Sequence, residues 1–120
     1  MSKKILVADD KATSRELVRT VLEKGGYEVF EAGDGAEAVR SARILHPDLI
    51  ILDLHMPEKD GFTVIQELRG SGFEETPIMA LTASAMYGDR ERALALGFTS
   101  YITKPIRLSV LRSEVARLLG

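Results

Sequence analysis

With 120 residues the chain can bury one core and is too short for two ordinary domains, and the lack of cysteine excludes disulfides, thiolate catalysis and thiolate metal sites. Lys and Arg number 16 against 18 Asp and Glu, for a net charge of −2, and the basic residues are scattered, so direct nucleic-acid binding is not expected. No apolar run approaches the roughly 20 residues that cross a bilayer, and the short run at 5–8 stops at two aspartates, unlike a signal peptide, which leaves a cytoplasmic location with no membrane contact as the expectation.

The first apolar run, ILVA at 5–8, reads as a strand ending on Asp9 and Asp10. Thr13 to Glu16 has capping-box spacing, and Leu17, Val18, Val21 and Leu22 then share one face of a helix that Gly25-Gly26 closes. EVFEA at 28–32 is a weaker strand, mixed in polarity and therefore expected at an edge. Asp34 with Glu37 repeats the start signal for a helix carrying Ala38, Ala42 and Leu45 inward, which stops at His46 before Pro47 because the residue preceding proline leaves helical geometry. LIIL at 49–52 is the most apolar strand, and it ends on Asp53. Asp60 caps a third helix with Phe62, Ile65 and Leu68 inward, ending in Gly70-Ser71-Gly72. PIMAL at 77–81 is the fourth strand, followed by Thr82. A fourth helix runs from about Tyr87 to Leu96 and closes at Gly97. SYIT at 100–103 is the last strand, followed by Lys104-Pro105, and the fifth helix carries Leu108, Leu111, Val115, Leu118 and Leu119 at helical spacing.

Strand and helix alternating five times imply parallel strands joined by right-handed crossovers, a doubly wound α/β sandwich with helices on both faces. In such sheets the site lies beyond the carboxyl ends of the strands. Asp9, Asp10, Asp53, Thr82 and Lys104 all fall at those ends. Each has an ordinary reading alone: a helix lead-in for Asp9-Asp10, a turn hydroxyl for Thr82, a loop lysine for Lys104. Asp53 is harder to dismiss, since a carboxylate closing a buried strand is costly without a partner. If the first and third strands are neighbours, three carboxylates converge, which requires a cation, and an all-oxygen set suits a hard ion, Mg²⁺ above others. A carboxylate flanked by a divalent cation, a lysine and a hydroxyl is shaped for attack on phosphorus, giving an aspartyl phosphate.

The motifs ILVADD (5–10), DLIILDLHMPEKDG (48–61), PIMALTA (77–83) and YITKP (101–105) together resemble the receiver domain of two-component response regulators, and the resemblance spans essentially the whole chain as one domain, 1–120. It implies a flavodoxin-like (βα)5 sandwich with strand order 2-1-3-4-5. It implies that Asp53 accepts a phosphoryl group from a histidine kinase or histidine phosphotransfer protein, and that Asp10, Asp53 and the backbone carbonyl of His55 bind Mg²⁺ while Asp9 holds a metal-bound water. Lys104 would pair with the phosphoryl group, ahead of a cis bond to Pro105. Thr82 would sense the group and Tyr101 would be the switch aromatic that alters the surface met by a downstream effector. His55 and Ser84 match positions that tune phosphate loss. Arg15, Arg19 and Thr20 resemble the exposed side of the first helix that meets kinases.

Two rivals remain. An aspartate-nucleophile phosphatase would want a second aspartate two positions after the nucleophile, where this chain has His55. A receiver-like module that docks without being phosphorylated usually loses one of the site residues, and all are present here. The expectation is therefore a phospho-acceptor that assists its own phosphorylation and dephosphorylation rather than an enzyme acting on others. Whether it is a monomer or a phosphorylation-dependent dimer, free-standing or part of a longer regulator, is left open by the sequence.

Overall fold

Ten elements alternate along a computed structural model that describes residues 2–83 and 88–120: β1 (Lys4–Ala8), α1 (Ala12–Lys24), β2 (Glu28–Ala32), α2 (Gly35–Leu45), β3 (Leu49–Leu52), α3 (Gly61–Arg69), β4 (Ile78–Thr82), α4 (Asp89–Ala95), β5 (Ser100–Thr103) and α5 (Leu108–Leu119). The strands form one parallel sheet in the order β2-β1-β3-β4-β5, so β3 is central and the mixed-polarity β2 is an edge, as expected.

Alternation along the strands sorts the core into two layers. Leu6, Ile50, Leu52, Ile78 and Ala80 face α2, α3 and α4, where they meet Ala38, Val39, Phe62, Ile65, Leu68 and Ala93. Ile5, Val7, Leu49, Ile51, Met79 and Leu81 face α1 and α5, against Val18, Val21, Leu22, Leu111 and Val115. All of these strand residues are at most 3% exposed. Full burial of an aliphatic side chain contributes roughly 1.5–3 kcal/mol, and this two-sided layer offsets the cost of setting carboxylates at the strand ends.

Helix starts follow the acidic caps in two of the expected places. Asp34 accepts from the Glu37 N–H (2.8 Å) while the Glu37 carboxylate accepts from the Gly33 N–H, and Asp60 accepts from the Thr63 N–H (2.9 Å). His46 ends α2 with φ 48°, immediately before Pro47.

The capping box expected at Thr13 does not form. α1 begins at Ala12 with Lys11 as a cap whose side chain makes no capping bond, because the turn out of β1 is tightened by the Lys11 N–H donating to Asp9 Oδ1 (2.9 Å); Thr13 and Ser14 are already inside the first turn. Leu17 is not inward but 43% exposed, and Leu108, in the first turn of α5, is likewise on the surface. α4 is shorter than expected at its start, and Tyr87 and Ser84 lie outside the described residues.

The buried Ser100 of β5 donates to Glu114 of α5, whose carboxylate also receives both Nε and Nη2 of Arg117 at 2.8 Å. Hydrogen bonds from Arg117, then from Ser100, hold Glu114 down to about 2 from an ordinary 4.5. A depressed carboxyl stabilises the fold above its unfolded value and loses that contribution as pH falls. Glu114→Gln is therefore expected to cost about 1 kcal/mol at neutral pH, with the difference from wild type closing between about pH 5 and 2, as read from urea midpoints across that window.

Candidate functional site

The carboxyl ends of the central strands carry the chemistry. β1 and β3 are direct neighbours, with Ala8 opposite Leu52, so the next residues, Asp9 and Asp53, emerge side by side. Their backbones are pinned: the Asp9 N–H donates to the Ala32 carbonyl (3.1 Å) and the Asp53 N–H to the Ala8 carbonyl (2.9 Å). Across the sheet the Lys104 N–H donates to the Thr82 carbonyl (2.8 Å), which fixes the end of β5 against β4.

Strand alternation decides which groups meet. Asp9, Asp53 and Lys104 continue the parity of the residues facing α1 and α5, and their side chains converge. Lys104 Nζ donates to Asp9 Oδ2 (2.6 Å) and Asp53 Oδ2 (3.2 Å), with Ser14 Oγ as a longer third acceptor at 3.5 Å. These side chains are only 5%, 8% and 13% exposed for Asp9, Asp53 and Lys104, so the ion pairs are shielded from solvent. Burial works against the charge on Lys104, and the Asp9 hydrogen bond with the charges of Asp53 and Asp9 outweighs it, raising the ammonium above its ordinary value. The remaining oxygens are also engaged: Asp9 Oδ1 by the Lys11 N–H, and Asp53 Oδ1 by the His55 N–H at 3.0 Å.

Asp10 is exposed, and its carboxylate completes a group in which one oxygen each of Asp9, Asp10 and Asp53 lies within 4.8 Å of the others. Three carboxylates facing one ammonium leave an excess of negative charge. The donors are all oxygen, and a hard divalent cation matches both the charge and the ligand type.

Thr82 and Tyr101 continue the opposite parity, toward α4. Thr82 is fully buried and Tyr101 is half-buried against the α2–α3–α4 layer. Burial, and then the nearby Asp89 carboxylate, raise the Tyr101 phenol above its ordinary range, and the Arg90 guanidinium lies 5.9 Å from its ring centroid. His55 is exposed, with Nε2 3.9 Å from Asp89 at the start of α4. Asp9, Asp10, Asp53 and Lys104 are thus brought together, Thr82 and Tyr101 lie on the adjoining face, and Ser84 falls outside the described residues.

Three neighbours were missed in the sequence: Ser14, Arg15 and Asp89. Ser14 and Arg15 follow Asp10 by about one helical turn, the only signal that they can reach back to the strand end. Arg15, expected on the open side of α1, is half-buried and turned toward the site; Arg19 and Thr20 are exposed.

Comparison with known proteins agrees with this geometry. The family model for the response regulator receiver domain matches residues 5–116. A probable transcriptional regulator, ycf27 of Cyanophora paradoxa, is 42% identical over 117 residues, covering 98% of this chain and 48% of its own length, so the chain spans about half of that relative. The polar-differentiation response regulator DivK of Brucella ovis is 36% identical over 121 residues, covering 100% of this chain and 98% of its own. The receiver domain of sensor histidine kinase PA1611 from Pseudomonas aeruginosa PAO1, solved with a magnesium ion in its active-site cleft, superposes with a TM-score of 0.91 at 34% identity, over 100% and 99% of the two chains. The chain belongs to the response regulator receiver domain family, the phosphorylation-dependent switches of two-component signalling.

Proposed function

We propose that Asp53 is the phospho-acceptor of this receiver and that its phosphorylation changes the surface offered to a downstream effector. The observation that carries the reading is Lys104 Nζ bridging Asp9 and Asp53 at the end of the central strand. An oxygen of the Asp53 carboxylate forms the new bond to phosphorus as the P–N bond of a donor phosphohistidine breaks; the electron pair of that bond stays on the ring nitrogen, and the donor, already protonated on its other ring nitrogen, leaves as neutral imidazole. The buried strand behind Asp53 fixes its direction of approach. Lys104 then moves its hydrogen bond from the Asp53 oxygen to the phosphoryl group, offsetting charge that develops there.

The carboxylates of Asp10 and Asp53 with the His55 carbonyl would hold Mg²⁺, and Asp9 would reach the ion through a water. When bound, the ion supplies charge neutralisation for the carboxylates and the phosphoryl oxygens. Thr82 donates its hydroxyl to a phosphoryl oxygen, and Tyr101 responds by repacking against α4. These contacts exist only in the modified state, which is what shifts the population. His55 and Ser84 set the lifetime of the acyl phosphate by controlling water. The donor is a histidine kinase or histidine phosphotransfer protein in the cytoplasm.

Incubation with acetyl phosphate and Mg²⁺, followed by intact mass measurement, should show gain of a single phosphoryl group. Asp53→Asn and chelated samples should show none. An unmodified wild type that also fails to bind beryllofluoride would overturn the reading in favour of docking without phosphorylation.

A further inference from the structure

The β1 ladder ends at Ala8, paired with Ala32 on one side and Leu52 on the other, so the Asp9 carbonyl lies past any strand partner. It is taken instead by α1: Arg15 Nη1 donates to it at 2.7 Å, and Arg15 Nε donates to Glu31 Oε1 of β2 at 2.9 Å. The other oxygen of Glu31 accepts from Arg19 Nη1 at 3.0 Å. Burial opposes the charge on Glu31, and its bonds to Arg19 and Arg15 reverse that and hold the carboxyl below its usual range. One guanidinium therefore ties the turn after β1 to the edge strand.

Resting on the receiver reading above, we propose that Arg15 is a positioning residue for the acidic pair, fixing the Asp9 peptide and thereby the direction in which Asp10, the exposed member, meets the cation. The Asp9 side chain has its own restraints in Lys11 and Lys104, whereas Asp10 follows the peptide that precedes it. A planar fork is required, because a single group must reach both the carbonyl and Glu31.

Charge alone predicts the opposite behaviour. Arg15 is a cation near a cation site, so removing it would tighten Mg²⁺ binding if its field were its only contribution. Positioning predicts that Arg15→Met weakens Mg²⁺ binding about tenfold, as loss of an outer support typically does, with phosphorylation at saturating Mg²⁺ changed much less. Arg15→Lys should resemble the methionine variant, since it keeps the charge and loses the fork, and Arg19→Met should stay near wild type.

The decisive experiment is calorimetric titration of wild type and these variants with Mg²⁺, beside amide hydrogen exchange of the metal-free proteins. Faster exchange at Lys11, whose N–H reports on the Asp9 turn, together with weaker Mg²⁺ binding in Arg15→Met and Arg15→Lys, is the expected result. Unchanged Lys11 exchange, or Mg²⁺ binding that is unchanged or tighter, overturns the proposal. If the wild type itself binds no Mg²⁺, the receiver reading of this site fails, and Lys11 exchange still decides whether Arg15 holds the turn.

Discussion

Lys104→Met is expected to lower the stability of the metal-free protein by about 3 kcal/mol, because it leaves Asp9 and Asp53 shielded from water and facing each other with no countercharge. Methionine keeps most of the aliphatic stem, so packing loss contributes little and the effect isolates the ammonium. Magnesium should restore much of the deficit, since a ligand that binds only the folded state stabilises it by mass action. Urea unfolding in chelator and again in excess Mg²⁺ gives the comparison. A variant as stable as wild type in chelator would mean that the carboxylates do not depend on Lys104, and the electrostatic account of the site would fall with it.

The second large effect is steric. A Cβ on Gly61 would lie 2.5 Å from the Asp53 carbonyl oxygen and 2.9 Å from Leu54 Cα, both backbone atoms of the turn that follows β3. The Gly61 N–H also donates to the Leu54 carbonyl at 2.9 Å, so the first turn of α3 is locked against the turn after β3. Gly61→Ala must displace one or the other, and a cost near the top of the roughly 1–3 kcal/mol range for overpacking is expected. Gly72→Ala makes the contrast. There the φ of +102° disfavours a side chain, with nothing within 4 Å, and about 1 kcal/mol of backbone strain is all that should be lost. Unfolding curves for both variants, with the Asp53 amide resonance as a local probe, separate the causes. If Gly61→Ala costs no more than Gly72→Ala and leaves Asp53 unmoved, the contact is not holding Asp53 in place.

Much of this was legible because burial on both faces leaves an unambiguous record. LIIL and IMAL can only be inner strands of a covered sheet, and an aspartate closing LIIL stands out against that background. Helix boundaries were readable where an acid sat one residue before the helix, as at Asp34 and Asp60, and misread at Thr13, where the Asp9 side chain just past β1 had already shaped the turn. Leu17 and Leu108 were assigned inward from spacing alone; each lies at the margin of its helix's apolar stripe, where a small rotation decides exposure. Arg15 was unreadable for a different reason. Its partners are a backbone carbonyl and a carboxylate 16 residues on, and neither type of contact leaves a pattern in local sequence.

Lys104 reaches Asp9 across 95 residues and Asp53 across 51. A chain still growing on the ribosome therefore displays both aspartates long before it has made the lysine that balances them. Until β5 is synthesised and laid against β4, the acidic end carries its charges uncompensated by that ammonium.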